Sequence, residues 1–278
     1  MRRFKTLRLV KHQRILAVLA FAVSTAPLTL RAQSVKDQLP PELPVPRETG
    51  DSVQHVFDGW QRNADGTISM WFGYMNRNRK EIVDVPVGPA NKFNTTVDSG
   101  QPTHFYTRRH QYVFKIILPK DWDKDKKVIW TVIAHGETCT ATGWLQPEWE
   151  TDDGVRQMNA GGAGLAPPAD PPNTAPTITG GSPEQTAEVG KPIKLTASAT
   201  DDGIPARGRG GRGGLAIKWI QYRGQGEVSF DPDTTPGAGR TADSSTMATF
   251  SAPGMYWIQA VASDGLLEAV HNIKVTVK

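Results

Sequence analysis

Ala252-Pro253-Gly254-Met255-Tyr256-Trp257-Ile258-Gln259-Ala260-Val261-Ala262-Ser263-Asp264-Gly265, followed after a short break by Asn272-Ile273-Lys274-Val275-Thr276-Val277, is the stretch that decides the fold. Side chains alternate along a strand, so Tyr256, Ile258, Ala260 and Ala262 share one face. In the second segment Ile273, Val275 and Val277 alternate with Asn272, Lys274 and Thr276. Ser263-Asp264-Gly265 between the two is turn chemistry. A hairpin with one apolar face needs a second sheet to cover it. Upstream alternation supplies one: Ile193, Leu195, Ala197 and Ala199, then Leu215, Ile217 and Trp219, then Val228 and Phe230, then Ala248 and Phe250. About seven strands in about 100 residues is the count of an immunoglobulin-like sandwich, and Trp219 sits where such folds often bury a tryptophan.

The first half reads in the same way. Val53 to Trp60 is a predicted strand, Asn63-Ala64-Asp65-Gly66 a hairpin turn, and Thr67 to Met75 the return strand. That return strand places Ile68, Met70, Phe72 and Tyr74 on one face, with Trp71 and Met75 on the other. A short strand is expected over Glu81 to Val87, then a loop to about Arg109. Tyr112, Phe114, Ile116 and Leu118 alternate with Val113, Lys115 and Ile117 in the next segment. Val128 to Ala134 is apolar on both faces apart from Thr131, as in a strand covered on both sides. Ala141 to Leu145 is the last strand candidate, and no window shows helical periodicity with caps. The expected fold class is all-β: two immunoglobulin-like β-sandwich domains joined by a Gly/Pro-rich linker.

The chain divides accordingly. Residues 1–32 read as an export signal: a basic start, the uncharged apolar run Ile15 to Val23, and Leu30-Arg31-Ala32 as a cleavage site. Nine apolar residues fall far short of the roughly 20 that span a bilayer. Residues 33–50 are a proline-rich leader, 51–153 the first sandwich, 154–174 the linker and 175–278 the second sandwich. In the linker, Ala160-Gly161-Gly162-Ala163-Gly164 is flexible, and Pro167-Pro168 and Pro171-Pro172 stiffen its second half. Two independent domains on a semi-rigid tether are the expectation from that composition.

Removing the signal changes the charge. Seven of the 32 Lys and Arg lie in residues 1–32, which hold none of the 28 acids, so the remainder has 25 bases against 28 acids, net −3. The basic character of the full chain therefore belongs to the signal and does not point to nucleic acid. A single cysteine, Cys139, excludes an intramolecular disulfide, so apolar packing must carry both sandwiches. No other apolar run approaches spanning length. The chain is expected to be exported, periplasmic or extracellular, with attachment at the outer surface as the narrower alternative.

Two resemblances add to this. Trp71-Phe72-Gly73-Tyr74-Met75-Asn76-Arg77-Asn78, Val85-Pro86-Val87-Gly88-Pro89-Ala90-Asn91-Lys92-Phe93 and Gly100-Gln101-Pro102-Thr103-His104-Phe105 resemble the motifs of an uncharacterised secreted bacterial β module over most of residues 53–147. That resemblance implies location and fold, and no enzyme activity. Residues 173–277 resemble bacterial polycystic-kidney-disease-type (PKD) and related immunoglobulin-like repeats. The residues that carry it are Asn173-Thr174-Ala175-Pro176, Ala199-Thr200-Asp201-Asp202-Gly203, Trp219, Ala248-Thr249-Phe250-Ser251-Ala252-Pro253-Gly254, Tyr256 and Ala262-Ser263-Asp264-Gly265. It implies a spacer or adhesive module. The Arg/Gly stretch 207–214 departs from the pattern and widens one loop.

Candidate sites come from residue chemistry. Asp201, Asp202 and Asp264 lie in turns and are candidate calcium ligands, since calcium favours clustered carboxylates; aspartate before glycine is also common turn chemistry without an ion. Trp71, Trp122, Trp144 and Trp257, with Trp149, are candidate ligand-binding aromatics for a sugar-stacking surface, against the plainer reading of edge or interdomain packing. His135 and Cys139 are a thiol–imidazole pair four residues apart, without an evident orienting third group. The six histidines match no metal motif, although His104 and His110 could meet across a loop. The Arg/Gly loop reads as solvated, with anionic polysaccharide as a looser option. No phosphate loop, nucleophile elbow or zinc motif is present, and no cofactor beyond calcium is expected. The leading functional expectation is a non-catalytic binding or structural protein of the cell envelope. A carbohydrate-binding accessory module is the alternative, then a hydrolase using loop residues near His135 and Cys139. The expected partners are a cell-envelope protein or polysaccharide, with no nucleic acid and no membrane span once the signal is removed.

Overall fold

The computed structural model describes residues 47–159, 171–204 and 214–278. The expected export signal, the expected leader up to residue 46, the middle of the expected linker and the Arg/Gly stretch 207–213 lie outside the described residues. β1 (Val53–Arg62) and β2 (Ile68–Asn76) form the expected hairpin. Its turn closes because the Asp65 carboxylate accepts both the amide and the hydroxyl of Thr67. Ile68, Met70, Phe72 and Tyr74 are all buried, as their alternation required. β6 (Arg108–Leu118) pairs with the other side of β2, giving the order β1-β2-β6.

The facing sheet is β4 (Asn91–Phe93), β7 (Val128–Ala134) and β8 (Glu137–Gly143), in the order β4-β7-β8. Between the sheets lies an aromatic core centred on Trp130. Phe93 stacks on Trp130 at 5.7 Å between ring centroids, and Phe114 meets it edge-on at 5.1 Å. Such pairs are favourable beyond the area they bury.

Three expectations about this half are corrected. The strand over Glu81 to Val87 shrinks to β3 (Val83–Asp84), which pairs with β5 (His104–Phe105) inside what read as a loop. The last strand begins at Glu137 and ends at Gly143, displaced from Ala141 to Leu145. A short helix, α1 (Asp153–Asn159), occupies the start of the expected linker. Asp152 starts it by accepting the Val155 amide on its side chain at 2.8 Å, an N-cap contact.

The second half contains β9 (Thr177–Gly181), β10 (Gln185–Ala187), β11 (Ile193–Thr200), β12 (Ala216–Arg223), β13 (Val228–Asp231), β14 (Thr234–Pro236), β15 (Thr241–Phe250), β16 (Gly254–Ser263) and β17 (Glu268–Val277). One sheet runs β10-β17-β16-β12-β14 and the other β13-β15-β11-β9. β9 sits in one sheet and β10 in the other, where it pairs parallel to the last strand. This split first strand over a two-sheet core is the immunoglobulin-like arrangement. The closing hairpin has the expected register, and Tyr256, Ile258, Ala260, Ala262, Ile273, Val275 and Val277 all face the core. Trp219 is buried, and its indole donates to the Ser244 hydroxyl at 2.9 Å, so its polar atom is satisfied.

A buried histidine makes the first core pH-sensitive. His55 Nε2 lies 2.9 Å from the Trp130 carbonyl, which can only accept, so Nε2 carries the proton of the neutral ring. Burial pushes the imidazole down from 6.5 to about 4, while the carbonyls of Trp130, Val53 and Cys139 pull the other way. The unfolded chain therefore binds a proton at higher pH than the native state does. Stability from this group is full above its ordinary value and falls as pH drops from there toward about 4. The loss is on the order of 3 kcal/mol. Urea unfolding at neutral pH and near the depressed value should show this fall in the wild type and a smaller one in His55→Gln; equal falls would refute the assignment.

Candidate functional site

β14 runs beside β12 only from Ala216 to Lys218, and the Trp219 amide makes the last contact on that side, to the Asp233 carbonyl. Beyond it the edge of β12 would be bare. Residues 98–106 of the first sandwich take that place. The Thr103 amide donates to the Tyr222 carbonyl at 3.2 Å, and the Gln221 amide donates to the Tyr106 hydroxyl at 2.9 Å. The Gly224 amide donates to the Thr103 hydroxyl, and the Tyr222 hydroxyl donates to the Gly100 carbonyl at 2.6 Å. Arg223 completes the latch. Its Nε donates to the Gln101 carbonyl at 2.7 Å, and its two terminal nitrogens reach both Asp98 oxygens at 2.8 and 3.0 Å. These Arg223 hydrogen bonds hold the Asp98 carboxyl below its usual range, against a smaller opposing effect of burial.

The side chain of Tyr222 belongs to the apolar core of the first sandwich, although the residue is on a strand of the second. Residues 45–278 accordingly form one compact unit. The expectation of independent domains on a tether is thus corrected. Gly and Pro content describes the connecting chain alone; the contacts that fix the sandwiches lie far from it in sequence.

The 98–106 segment can act as a latch because side-chain amides hold it. Gln101 donates to the Asn91 and Val97 carbonyls and accepts from the Ser99 amide. Asn91 donates to the Val85 and Pro102 carbonyls and accepts from the Trp130 indole. Asn76 donates to the Glu81 and Phe105 carbonyls and accepts from Asn78. Asn76, Asn78, Asn91 and Gln101 are fully buried. Buried backbone groups need partners, and here side chains substitute for a strand ladder.

A cleft of about 1260 Å³ opens beside the latch, lined by both sandwiches. Arg109 to Lys115 form one wall; Lys218, Ile220, Gln259, Val261 and Val270 stand on the other. At its base Asp58 is buried and paired with Arg109, and it accepts the Tyr112 amide at 2.8 Å. Burial pushes its carboxyl up; the Tyr112 amide and the Arg109 charge oppose that. Both side chains cross β2 over Gly73, where any Cβ would collide with Asp58 Oδ2 and the His110 carbonyl. That close approach is the reason for glycine in the Trp71-Phe72-Gly73-Tyr74 motif.

The structure scatters the predicted tryptophans. Trp71 and Trp257 line the cleft, while Trp144 and Trp149 flank a smaller groove beside Phe57. Trp122 packs against the first core. Each of the four principal candidates has a cation over its ring. Lys115 and Arg156 cover Trp71, Lys126 covers Trp122, Lys127 covers Trp144, and Arg223 and Lys274 cover Trp257. Trp257 also stacks on Tyr222, as part of the seam.

His135 and Cys139 take separate partners. His135 Nε2 is 3.1 Å from Glu81, whereas Cys139 accepts from the Gln54 amide at 3.2 Å. His135 and Gly136 both have positive φ and form the two-residue turn between β7 and β8. Burial pushes the Cys139 thiol up, away from thiolate chemistry. His104 pairs with Asp84 at 2.7 Å, and Tyr106 stands between His104 and His110.

Asp201, Asp202 and Asp264 lie in turns, as expected. Asp264 is fully buried and accepts the Leu266 and Leu267 amides and the Asn173 side chain. Asp202 accepts from Thr174 and the Ile204 amide. Asp201 accepts the Gly203 amide on one oxygen. Its other oxygen and Asn173 Oδ1 are buried acceptors without a donor among the described residues. Burial first, then the charges of Asp264 and Asp202, push the Asp201 carboxyl up. Among the described residues, no three His, Cys, Asp or Glu side chains gather as a metal cluster.

Sequence reading missed Asp98, Tyr106, Gln221, Tyr222 and Arg223. The Gly100-Gln101-Pro102-Thr103-His104-Phe105 motif was the only signal near them, and nothing in it says that it faces another domain.

No protein-family profile matches the chain, and no curated protein matches it. Solved structures similar to it include the tandem Ig repeats of Dlar, at 13% identity over 82% of this chain and 97% of that one, with a TM-score of 0.31. The N-terminal Ig1-2 module of the Drosophila receptor protein tyrosine phosphatase DLAR is similar at 12% identity over 82% of this chain and all of that one (100%), with a TM-score of 0.30. Domains 4 and 5 of the S-layer protein SbsC are similar at 12% identity over 55% of this chain and 65% of that one, with a TM-score of 0.25. At these scores the likenesses carry no functional argument, and the fold rests on the strand order of the two sandwiches.

Arg223→Ala removes the charged centre of the latch and leaves Asp98 and the Gln101 carbonyl without it. A cost of about 3 kcal/mol is expected. Small-angle scattering should show a larger radius of gyration, and thermal unfolding two steps in place of one. A scattering curve superimposable on the wild type would show that the seam holds without Arg223.

Proposed function

We propose that this chain is an exported, non-catalytic binding or structural protein of a bacterial envelope or exterior. The first sandwich is read as the secreted β module and the second as a PKD-type repeat, on the motifs that carry those resemblances. The observation that carries the reading is the latch. Arg223, Tyr222 and residues 98–106 fix the two sandwiches, so the cleft beside them has fixed walls. A preorganised cleft loses less ordering entropy on binding than a hinged one. The separate partners of His135 and Cys139, Glu81 and Gln54, support binding over hydrolysis. Among the described residues no helix is long and apolar enough to cross a membrane. The test is capture: the chain from residue 33 onward, immobilised, is exposed to envelope extracts and to a glycan array. Retention of an intact envelope component, reduced when the cleft wall is altered by Gln259→Arg, supports the reading. Turnover of a retained component, or no retention at all, would overturn it.

A second reading concerns calcium at the far turns. Asp201 and Asn173 each keep a buried oxygen without a donor among the described residues, and the Asp264 charge acts on Asp201. An oxygen-seeking cation would relieve both. Asp201, Asp264 and Asn173 would hold it, with Asp202 committed to Thr174 and Ile204. Calcium should then raise the melting temperature of the wild type and leave Asp201→Asn unmoved. An identical response in both, or none in the wild type, removes calcium from the account.

A further inference from the structure

β6 is the outer strand of its sheet, and only β2 pairs with it among the described residues. Its first part is irregular, with positive φ at Arg108 and Tyr112 and a register shift opposite Phe72 and Tyr74. From Phe114 to Leu118 the register with β2 is regular. Consecutive residues Arg109 to Lys115 border the cleft. Where the pairing is regular, at Phe114 and Lys115, successive side chains point to opposite faces, so a cleft that touches both runs along the strand edge. An open edge presents unpaired N–H and C=O groups, a template for an added strand.

The opposite wall is the outward face of β12, β16 and β17. It offers Ile220, Val261 and Val270 between Lys218 and Gln259, apolar and polar side chains across the cleft from that edge. Charge decides what fits. β6 carries Arg108, Arg109, His110 and Lys115 and no acid. Arg109 is taken by Asp58 and Arg156 by Asp153, whereas Lys115 and Lys218 stand exposed on facing walls. Lys218 and Arg109 help to hold the His110 imidazole below its ordinary value, after the larger effect of burial, so the charge of Lys218, on the second sandwich, is felt at a side chain of β6. The acids of the lining are Asp233 and Glu268, both exposed and fewer than its basic side chains. A second β6 would place cation against cation, which disfavours pairing of two β6 edges.

We infer that the cleft takes an extended acidic peptide segment of another protein, added as a strand to the free edge of β6 with its carboxylates toward Lys115 and Lys218. This rests on the binding reading proposed for the chain and names the partner's chemistry. Main-chain hydrogen bonds would give affinity, and the cleft wall would choose alternate side chains.

The test uses the chain from residue 33 onward and four probes: a peptide of about ten alternating Glu and Val residues, long enough for one strand; its Lys/Val counterpart; the Glu/Val peptide N-methylated at every second residue; and oligogalacturonate as an acidic saccharide. Fluorescence anisotropy should show binding of the Glu/Val peptide alone, weakening as salt rises. Lys115→Glu with Lys218→Glu, checked for an unchanged melting temperature, should weaken it at least about tenfold. Hydrogen exchange should show new protection at residues 113–115. Equal binding of the N-methylated peptide, no binding of the Glu/Val peptide, or protection elsewhere would each overturn the inference. Oligogalacturonate binding in place of the peptide would also overturn it while leaving the cleft a binding site, so the two readings fail separately.

Discussion

One guanidinium is the charged centre of the latch that joins the two halves of this protein. Arg223 is nearly buried, and a buried cation survives only when its donors are matched. Here Nε meets a carbonyl and the two terminal nitrogens meet one carboxylate in a fork. Such bidentate pairing is geometrically specific as well as strong. It sits at the end of β12, where that strand has lost its neighbour and needs a new one. The latch therefore answers two problems together: an unpaired strand edge in the second sandwich, and a long loop in the first that has no ladder of its own.

That loop shows how a β protein can order a segment without building strands. Between Glu81 and Phe105 only β3, β4 and β5 pair, each of two or three residues. Three fully buried amide side chains, Asn76, Asn91 and Gln101, bind the carbonyls that a sheet would otherwise bind. Each amide has both donors and an acceptor, so it can join two backbone segments at once. Low local dielectric makes these contacts strong when complete and costly when broken. The motif residues Asn76, Asn78, Asn91 and Gln101 are thus structural. Their task is to present Asp98, Gly100, Gln101 and Thr103 to the neighbouring sandwich.

The legible part of the sequence was its period-two alternation. Ile68 to Tyr74, Ile193 to Ala199 and Tyr256 to Ala262 have one face toward a core and one away, and each lies where that pattern put it. Local turn chemistry was legible too, at Asp65-Gly66 and at Asp264-Gly265. The latch was not legible, because its partners are more than a hundred residues apart in the chain and each looks like an ordinary surface residue. Nor was α1, whose seven residues are too few for a helical period to show and whose cap is a single aspartate. Composition misled at the linker: a flexible, proline-rich connection says nothing about contacts made elsewhere.

The tryptophans carry the same point from burial to binding. Position on an outward strand face or in a loop left a stacking surface and edge packing as alternatives, and Trp71, Trp122, Trp144 and Trp257 each lie under a lysine or arginine. A cation over an indole is attracted by the ring's electron-rich face, and its aliphatic stem covers apolar area. A sugar stacking there must first displace that cation. Strand alternation fixes which side a ring faces; it does not tell what a neighbouring strand lays across it. Trp149, by contrast, stays exposed, and the wall formed by β6 offers backbone as well as side chains to the large cleft.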